Sequence, residues 1–324
     1  MGTESFFERL GFFFGRIEMD ILAIGEILID LTQSGRDEMG IPAFAAYPGG
    51  APANVAVAAS RLGAKTAFIG KVGRDGFGRM LCHTLSENGV DASQVAFDAL
   101  HPTTMAVVSI DEKGDRSFSF YRGADGELTS QEISDEALSD ARIVYFGSVS
   151  LTAEASRKAI LSAADRAKNL GRLIAYDPNY RENLWDSEDV AVSQMKRLLS
   201  VTDVLKVSEE EFCLLTGGED LEKGSLALSE MGISLVLVTL GERGVFYRFG
   251  ERTGKVDGVP CVAVDTNGAG DSFFGAVLSC LCHEELAGLS VSSLEDILCF
   301  ANRAASITTG RHGAIPAMPR IEEL

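Results

Sequence analysis

Short apolar runs alternate along the chain with amphipathic segments. The runs are rich in valine, isoleucine and leucine, which is typical of buried strands, and they occupy residues 21–24, 67–69, 143–146, 173–176, 204–207 and 235–239. The segments between them repeat apolar residues with helical spacing, which predicts helices at 53–62, 78–88, 153–170, 190–200, 209–215 and 221–231. This alternation predicts an α/β fold in which helices cover both faces of a mainly parallel sheet.

Two stretches, 31–48 and 103–122, depart from this alternation. Residues 106–110 and 117–121 carry short β patterns, and a turn sequence at 111–114 separates them. Two such strands joined by a short turn predict a β-hairpin that lies outside the main sheet.

Length and charge narrow the possible functions. The chain has 324 residues and a net charge of −18. Its length suits one large α/β domain with an excursion, or two modest domains. So acidic a protein is a poor candidate for binding nucleic acid, and any polyphosphate site in it must be locally positive. The sequence has no uninterrupted apolar run of about 20 residues, so we expect no membrane span.

The cysteines and the N-terminus give weaker indications. The six cysteines lack CxxC spacing, so we expect buried free thiols and a cytoplasmic protein. Glu8 and Arg9 interrupt the apolar part of residues 1–18, and a signal-peptide cleavage site is lacking. We interpret residues 1–18 as an N-terminal extension of the domain, and the alternative is a contact arm that uses the phenylalanines.

The sequence DTNGAGDSFFGA at residues 265–276 is the strongest candidate for chemistry. It follows a strand-like apolar stretch at 259–264 and opens a helix-like one at 272–281. Its small residues let backbone N–H groups approach a ligand, and a helix N-terminus favours an anion. Asp271 then fits a base that takes a proton from a hydroxyl attacking phosphorus. The alternative is a glycine-rich turn with an aspartate that caps the helix.

Other nucleotide motifs are missing. Lys71 and Lys255 follow glycines, but valine stands next in both cases, where a Walker A motif needs Ser or Thr. The glycine-spaced segment 70–78 does not connect a strand to a helix as a dinucleotide-binding turn does. Phosphate binding is therefore expected at residues 268–271.

A second segment adds a family resemblance. Residues 49–78 read GGAPANVAVAASRLGAKTAFIGKVGRDGFG. Together with GAGD, they resemble the N- and C-terminal signatures of ribokinase-like (PfkB-type) sugar kinases, and within these the fructokinase group. The resemblance runs from about residue 19 to residue 319.

The resemblance implies a ribokinase-like three-layer α/β/α sandwich with a small β-sheet lid. The large ATP- and sugar-binding domain would comprise residues 19–30, 49–97 and 123–324. The lid would comprise residues 31–48 and 98–122, and since such lids often supply a dimer contact, we expect a homodimer.

On the sugar side, the resemblance assigns hydroxyl binding to Asp30, Gly49, Gly50 and Asn54. Asp30 is expected at the end of the first strand, where it would point into the crevice at the carboxyl edge of the sheet. The alternatives are a turn or salt-bridge residue for Asp30, and a tight turn with a polar helix start for the others.

Two arginines, Arg122 and Arg181, could approach a carboxylate or a phosphate. Their surroundings resemble those in both fructokinases and 2-keto-3-deoxygluconate kinases, so they leave the substrate open. The alternative is that both are solvated surface arginines.

On the nucleotide side, the resemblance assigns Thr239 and Gly241 to the nucleotide and places Asn302 near an adenine pocket. Glu211 would hold Mg²⁺ through water. Ser208 stands where the family usually has Asn, and it also suits the N-cap of a helix. Asp265, with residues 311–315, resembles a site for a monovalent cation such as K⁺. Structural roles are the alternatives for the nucleotide and monovalent-cation residues.

The mechanism that follows from the resemblance is phosphoryl transfer from ATP. Asp271 would remove the proton of a primary hydroxyl, while N–H groups of Gly268, Ala269 and Gly270 stabilise the γ-phosphoryl group. The motifs favour fructose and the product fructose 6-phosphate. The alternatives are a kinase for 2-keto-3-deoxygluconate, ribose or a nucleoside, and a non-catalytic sugar-binding regulator on the same fold.

Overall fold

The chain forms strands and helices in alternation over most of its length. The computed structural model describes residues 18–110 and 116–324, apart from the side chains of residues 108–118. The expected N-terminal extension and the turn at 111–114 lie, except for Glu18, outside the described residues. In the described ranges the strands are β1 (Met19–Ile24), β2 (Leu28–Arg36), β3 (Pro42–Gly49), β4 (Thr66–Ile69), β5 (Lys71–Gly73), β6 (Val90–Asp91), β7 (Ala96–Asp98), β8 (Met105–Ile110), β9 (Arg116–Tyr121), β10 (Ala141–Gly147), β11 (Leu173–Asp177), β12 (Val204–Ser208), β13 (Leu235–Thr239), β14 (Val245–Phe249) and β15 (Arg252–Val256).

Helices connect most strands of the main sheet. In the same ranges they are α1 (Ala51–Arg61), α2 (Gly76–Glu87), α3 (Asp135–Asp140), α4 (Glu154–Asn169), α5 (Glu188–Leu199), α6 (Glu209–Thr216), α7 (Leu221–Glu230), α8 (Ala269–Leu281) and α9 (Val291–Thr309). The predicted helices and strands of the alternating pattern are confirmed within a few residues at each end. None of the described helices is long and apolar enough to cross a membrane.

The large sheet follows the order β15-β14-β13-β12-β11-β10-β1-β4-β6. Neighbours from β6 through β13 pair in parallel, whereas β14 and β15 add an antiparallel edge. Successive residues of β1 face opposite sides: Ile21 and Ala23 pack in one core, Leu22 and Ile24 in the other. The mainly parallel, three-layer sandwich is therefore confirmed.

A smaller sheet has the order β3-β2-β8-β9. β8 and β9 pair antiparallel, which confirms the predicted hairpin. β2 pairs antiparallel with β3 and parallel with β8. This sheet begins at Leu28, before residue 31 where the lid was expected to start.

The prediction that Asp30 ends the first strand is wrong. β1 ends at Ile24, and Asp30 lies in β2, opposite Tyr47 of β3 and Ala106 of β8. Gly25 separates the two strands with a φ of 155°. Apolar residues stand on both sides of Gly25 and Glu26, so the pattern was interpreted as one strand.

The strand expected at residues 259–264 is also absent from the described fold. Val262 is 84% exposed, and Val259 and Val264 are more than one-third exposed. The Val264 N–H donates to the Thr309 carbonyl at the end of α9 instead of to a neighbouring strand. Apolar residues here face solvent, so they do not mark a buried strand.

Close packing of α1 against α8 positions the residues described below. Gly275 of α8 lies against α1, and a Cβ placed there would be 2.5 Å from Ala58 Cβ and 2.9 Å from the Val55 carbonyl. Because the nearest atoms belong to backbone or to Cβ, the two helices would have to separate to admit a methyl group.

We therefore expect Gly275→Ala to lower the free energy of unfolding by about 1–3 kcal/mol, as overpacking does. Denaturant unfolding should be compared with that of Gly218→Ala, a site where an added Cβ meets nothing within 4 Å. Equal stability of the two variants would contradict a tight contact between α1 and α8.

Candidate active site

A cavity of about 760 Å³ lies between the carboxyl ends of the parallel strands and the small sheet. Both sheets line it, so a ligand there would contact the two sheets at once. Of the predicted site residues, those that line the cavity are Asp30, Gly50, Asn54, Arg181, Asp265, Gly268, Gly270 and Asp271.

Asp271 is the centre of this cavity's hydrogen-bond network. It lies in the first turn of α8 and is only 7% exposed. Asn54 Nδ2 donates to its Oδ2 at 2.8 Å, and Asn179 Nδ2 donates to its Oδ1 at 3.0 Å. The N-cap of α8 is Gly268, with a φ of 75°, so the capping-aspartate alternative is wrong.

Burial raises the pKa of Asp271, against the opposing effects of the Asn54 hydrogen bond and the Lys206 charge. A carboxylate with a raised pKa binds a proton more strongly, which suits a general base. Its two amide donors also fix the orientation of the carboxylate.

The turn before Asp271 presents backbone N–H groups to the cavity. The first N–H groups of a helix lack intrahelical partners and favour an anion. Gly268 and Gly270 line the cavity. Ala269 is not among the lining residues, and its N–H donates to the Thr266 carbonyl at 3.3 Å. The geometry therefore supports phosphate binding by the N–H groups of Gly268 and Gly270 better than by that of Ala269.

Lys206 is a site residue that the sequence reasoning missed. It lies in β12, lines the cavity and is 6% exposed. Its Nζ forms an ion pair with Asp177 Oδ2 at 2.9 Å. The available signal was a single charge inside the apolar run 204–207, because lysine is rarely buried unless it is paired.

Asp177 and Asn179 were also missed; Asp177 ends β11, and Asn179 follows it after Pro178. The Asn179 N–H donates to Asp177 Oδ1, and Asn179 has a φ of 47°, the single positive value at a described non-glycine residue. Burial raises the pKa of Asp177 to about 7, opposed by the charge of Lys206. This turn therefore holds one partner of Lys206 and one of Asp271.

Glu211 and Ser208 form a capping box at the start of α6. Glu211 Oε2 accepts from the Ser208 N–H at 2.7 Å, and Ser208 Oγ accepts from the Glu211 N–H at 3.2 Å. Glu211 Oε1 accepts from the Tyr180 N–H. The capping alternative for Ser208 is confirmed.

The acids around Lys206 fit a Mg²⁺ ion in charge and ligand type. Asp177, Glu211 and Asp271 all raise the pKa of Lys206, and carboxylate oxygens are ligands that Mg²⁺ prefers. Among the described residues, three metal-ligating atoms come within 4.8 Å of one another only at Asp20, Cys282 and His283. The three acids therefore form no direct cage, which fits an ion held through water and phosphate.

The Asp20, Cys282 and His283 group lies at the opposite end of β1 and α8 from the cavity. The lack of cluster spacing in the sequence therefore did not exclude such a group in the fold. The cysteines of the described chain are free, as expected, but Cys261 and Cys299 are exposed and only Cys282 is buried.

Asp30 lies on the small-sheet side of the cavity. Burial raises its pKa to about 6, opposed by the charge of Arg181. Gly49 is in contact with its carboxylate, leaving no room for a Cβ. A Cβ at Gly50, whose φ is 106°, would lie 2.6 Å from the Glu26 carbonyl. Packing against backbone therefore requires Gly50, whereas a side chain at Gly49 would displace the Asp30 carboxylate.

Arg122 is held outside the cavity. Its Nη1 donates to the Val149 carbonyl at 3.1 Å and to Thr152 Oγ1 at 2.8 Å, and its Nη2 pairs with Asp125 at 2.9 Å. Asp125 in turn accepts from Thr104 Oγ1. Arg122 therefore joins the end of β9 to the large domain, and it is neither a cavity residue nor a solvated surface arginine.

Of the remaining predicted residues, Asn302, Thr239 and Gly241 do not line the cavity. Asn302 Nδ2 donates to the Asp257 carbonyl at 3.0 Å and so anchors the segment after β15. Thr239 ends β13, and Gly241 follows it. Asp265 Oδ2 accepts from the Gly313 N–H at 3.1 Å, which brings together the two segments expected to bind a monovalent cation.

Comparison with known proteins agrees with the expected family. A family model described as pfkB family carbohydrate kinase matches residues 19–321. "Probable fructokinase-4" of Arabidopsis thaliana is 42% identical over 309 residues, which cover 94% of this chain and 95% of that protein. "Fructokinase-2" of Solanum lycopersicum is 41% identical over 308 residues, covering 94% of each.

Solved structures are similar over the same length. Fructokinase from Xylella fastidiosa with bound ATP has a TM-score of 0.87 and 32% identity, covering 94% of this chain and 97% of that one. Fructokinase from Vibrio cholerae O395, bound to fructose, ADP and calcium, has a TM-score of 0.81 and 34% identity, covering 92% and 95%. Sequence and fold agree, and this chain therefore belongs to the pfkB family of carbohydrate kinases.

Proposed function

We propose that this enzyme transfers the γ-phosphoryl group of ATP to the primary hydroxyl of fructose and forms fructose 6-phosphate. The observation that carries the proposal is the buried Asp271 carboxylate at the N-terminus of α8, held by Asn54 and Asn179 and open to a cavity between the two sheets. The relatives named fructokinase support fructose as the acceptor.

In this mechanism Asp271 takes the proton of the attacking hydroxyl. The hydroxyl oxygen forms a bond to the γ-phosphorus as the bond from that phosphorus to ADP breaks. Backbone N–H groups at Gly268 and Gly270, with the helix N-terminus, stabilise the negative charge of the transferring group. Bound Mg²⁺ supplies further positive charge at the phosphates, and Glu211 would hold it through water.

On the sugar side, Asp30 accepts hydrogen bonds from fructose hydroxyls, Gly50 allows the sugar to approach the backbone, and Gly49 leaves room for the Asp30 carboxylate. Asn54 orients Asp271 and faces the same cavity. Arg181 is the predicted arginine that lines the cavity. With Arg122 bound to Asp125, an acidic sugar would meet one arginine instead of two, which favours fructose over 2-keto-3-deoxygluconate.

For the nucleotide, we place ATP along the carboxyl ends of β12 and β13, beside Thr239 and Gly241. Asn302 acts indirectly, through the segment after β15 that it anchors. Ser208 shapes the same edge as the N-cap of α6. Asp265 and the segment of Gly313 would bind K⁺ beside the phosphates.

We further propose that the small sheet is a lid and that two copies of the chain pair through it in the cytoplasm. Its side chains Met39, Ile41, Phe44 and Tyr121 are 79%, 54%, 43% and 59% exposed. Met39, Ile41 and Phe44 lie within six residues of one another in the β2–β3 turn and β3, and exposed apolar residues grouped in this way are typical of an interaction surface.

The proposal is tested by ADP release in a coupled assay with Mg²⁺ and K⁺, across fructose, 2-keto-3-deoxygluconate, ribose, glucose and adenosine. We expect strong preference for fructose. Preference for another acceptor would contradict the substrate, and a chain that binds fructose without releasing ADP would be the sugar-binding regulator.

Asp271→Asn should lower kcat by about 10²- to 10⁴-fold, because it removes the base and keeps the shape. ATP affinity, measured by calorimetry, should change little. Asp189→Asn, at an exposed position in the first turn of α5, serves as the control. If the Asp271→Asn variant kept half of the wild-type kcat, Asp271 would not be the base.

Fructose binding should weaken as the pH falls through about 6, where Asp30 becomes protonated. Asp30 accepts sugar hydroxyls best as a carboxylate, so the favourable form is present above this pH and lost below it. Calorimetry without nucleotide isolates this effect from the titration of Asp271 as a base. The Asp30→Asn variant should bind fructose more weakly than the wild type above about pH 6 and show no change in affinity through this pH. If the variant kept the wild-type pH profile, the pH dependence would belong to another group.

A further inference from the structure

Lys206 is a buried cation at the base of the cavity that the mechanism above does not use. It is 6% exposed, and its chain neighbours in β12, Leu205 and Val207, are fully buried and apolar. Burying an ammonium group is costly unless it is paired. Its Nζ meets Asp177 Oδ2 at 2.9 Å, which supplies that partner.

Three acids, Asp177, Glu211 and Asp271, surround the single positive charge of Lys206. Burial alone would lower the pKa of Lys206, but Asp177 and Glu211 raise it above its ordinary value, and Asp271 adds to the effect. The ion pair with Asp177 therefore favours the charged form of the ammonium group. When the three carboxylates are ionised, one lysine does not balance them, so a phosphate arriving here needs every available positive group.

The position of Lys206 relative to α8 gives it a specific target. A Cβ placed on Gly270 would lie 2.9 Å from Lys206 Nζ. Gly270 belongs to the first turn of α8, where free N–H groups face an anion. The ammonium group and the helix N-terminus therefore act on the same side of the cavity, next to the carboxylate that takes the proton.

We propose that Lys206 binds the phosphoryl group during its transfer, and that Asp177 positions the ammonium group for this contact. The proposal rests on the phosphoryl transfer proposed above. The lysine keeps its proton: the hydroxyl proton goes to Asp271, the new O–P bond forms and the bond to ADP breaks. Lys206 stabilises the charge on the phosphoryl oxygens, as a preorganised cation does in a buried site.

The competing explanation is structural. Lys206 would then serve only to neutralise Asp177, because a buried carboxylate without a partner destabilises the fold. The two roles differ in what happens when both partners are made neutral, which a double-mutant cycle measures.

The variants Lys206→Met, Asp177→Asn and the double variant should be compared in kcat and in thermal unfolding. We expect Lys206→Met to lower kcat by about 10²- to 10³-fold, the usual effect of losing one charge-stabilising group, and also to lower stability. The double variant should regain stability and keep the low kcat. Recovery of kcat together with stability would overturn the proposal. Lys158→Met, at a side chain that is 73% exposed, is the control.

A binding measurement tests the role of Lys206 without relying on fructose as the acceptor. Calorimetry should compare ADP with β,γ-methylene-ATP, which carries a γ-phosphoryl group that cannot be transferred. Lys206→Met should weaken the ATP analogue more than ADP, whereas Lys158→Met should change neither. Equal affinity losses for the two nucleotides would overturn the contact with the γ-phosphoryl group. This result can be read even if fructose is not the acceptor.

Discussion

A carboxylate buried beside a helix N-terminus must be held by hydrogen bonds, and the site depends on how the fold provides them for Asp271. One donor, Asn54, belongs to α1, and the other, Asn179, to the turn after β11. Three separate elements therefore have to meet within hydrogen-bond distance. The close contact of Gly275 with α1 brings Asn54 to Asp271. The parallel order of the sheet places the turn after β11 at the same edge of the sheet.

The parts of the fold that could be predicted are those set by local pattern. Buried strands of a parallel sheet are apolar throughout, so runs such as 143–146 and 204–207 stood out. The turn at 268–271 was also recognisable from its small residues before a helix, although the strand expected at 259–264 is absent from the described fold. In both cases the physical cause lies within a dozen consecutive residues, and the sequence displays it directly.

What could not be predicted depends on residues distant in the chain. Asp30 belongs to β2 because β3 and β8 pair with that segment. Apolar residues on both sides of Gly25 made the end of β1 hard to recognise. Arg122 is neutralised by Asp125, only three residues away, but its contact with the Val149 carbonyl comes from a distant part of the chain. Lys206 had a local signal, a charge in an apolar strand, but its meaning appears only when β11 brings Asp177 beside it.

The overall charge explains why the site is arranged as it is. A chain with a net charge of −18 repels ATP at long range, so binding has to come from short-range contacts within the cavity. Backbone N–H groups do not lose their partial charge with pH, and the ion pair with Asp177 favours the charged form of Lys206. The acids that hold this lysine also strengthen the need for a divalent cation, because they leave excess negative charge beside the phosphates. In the proposed mechanism, electrostatics thus couples the base Asp271, Lys206 and the metal ion.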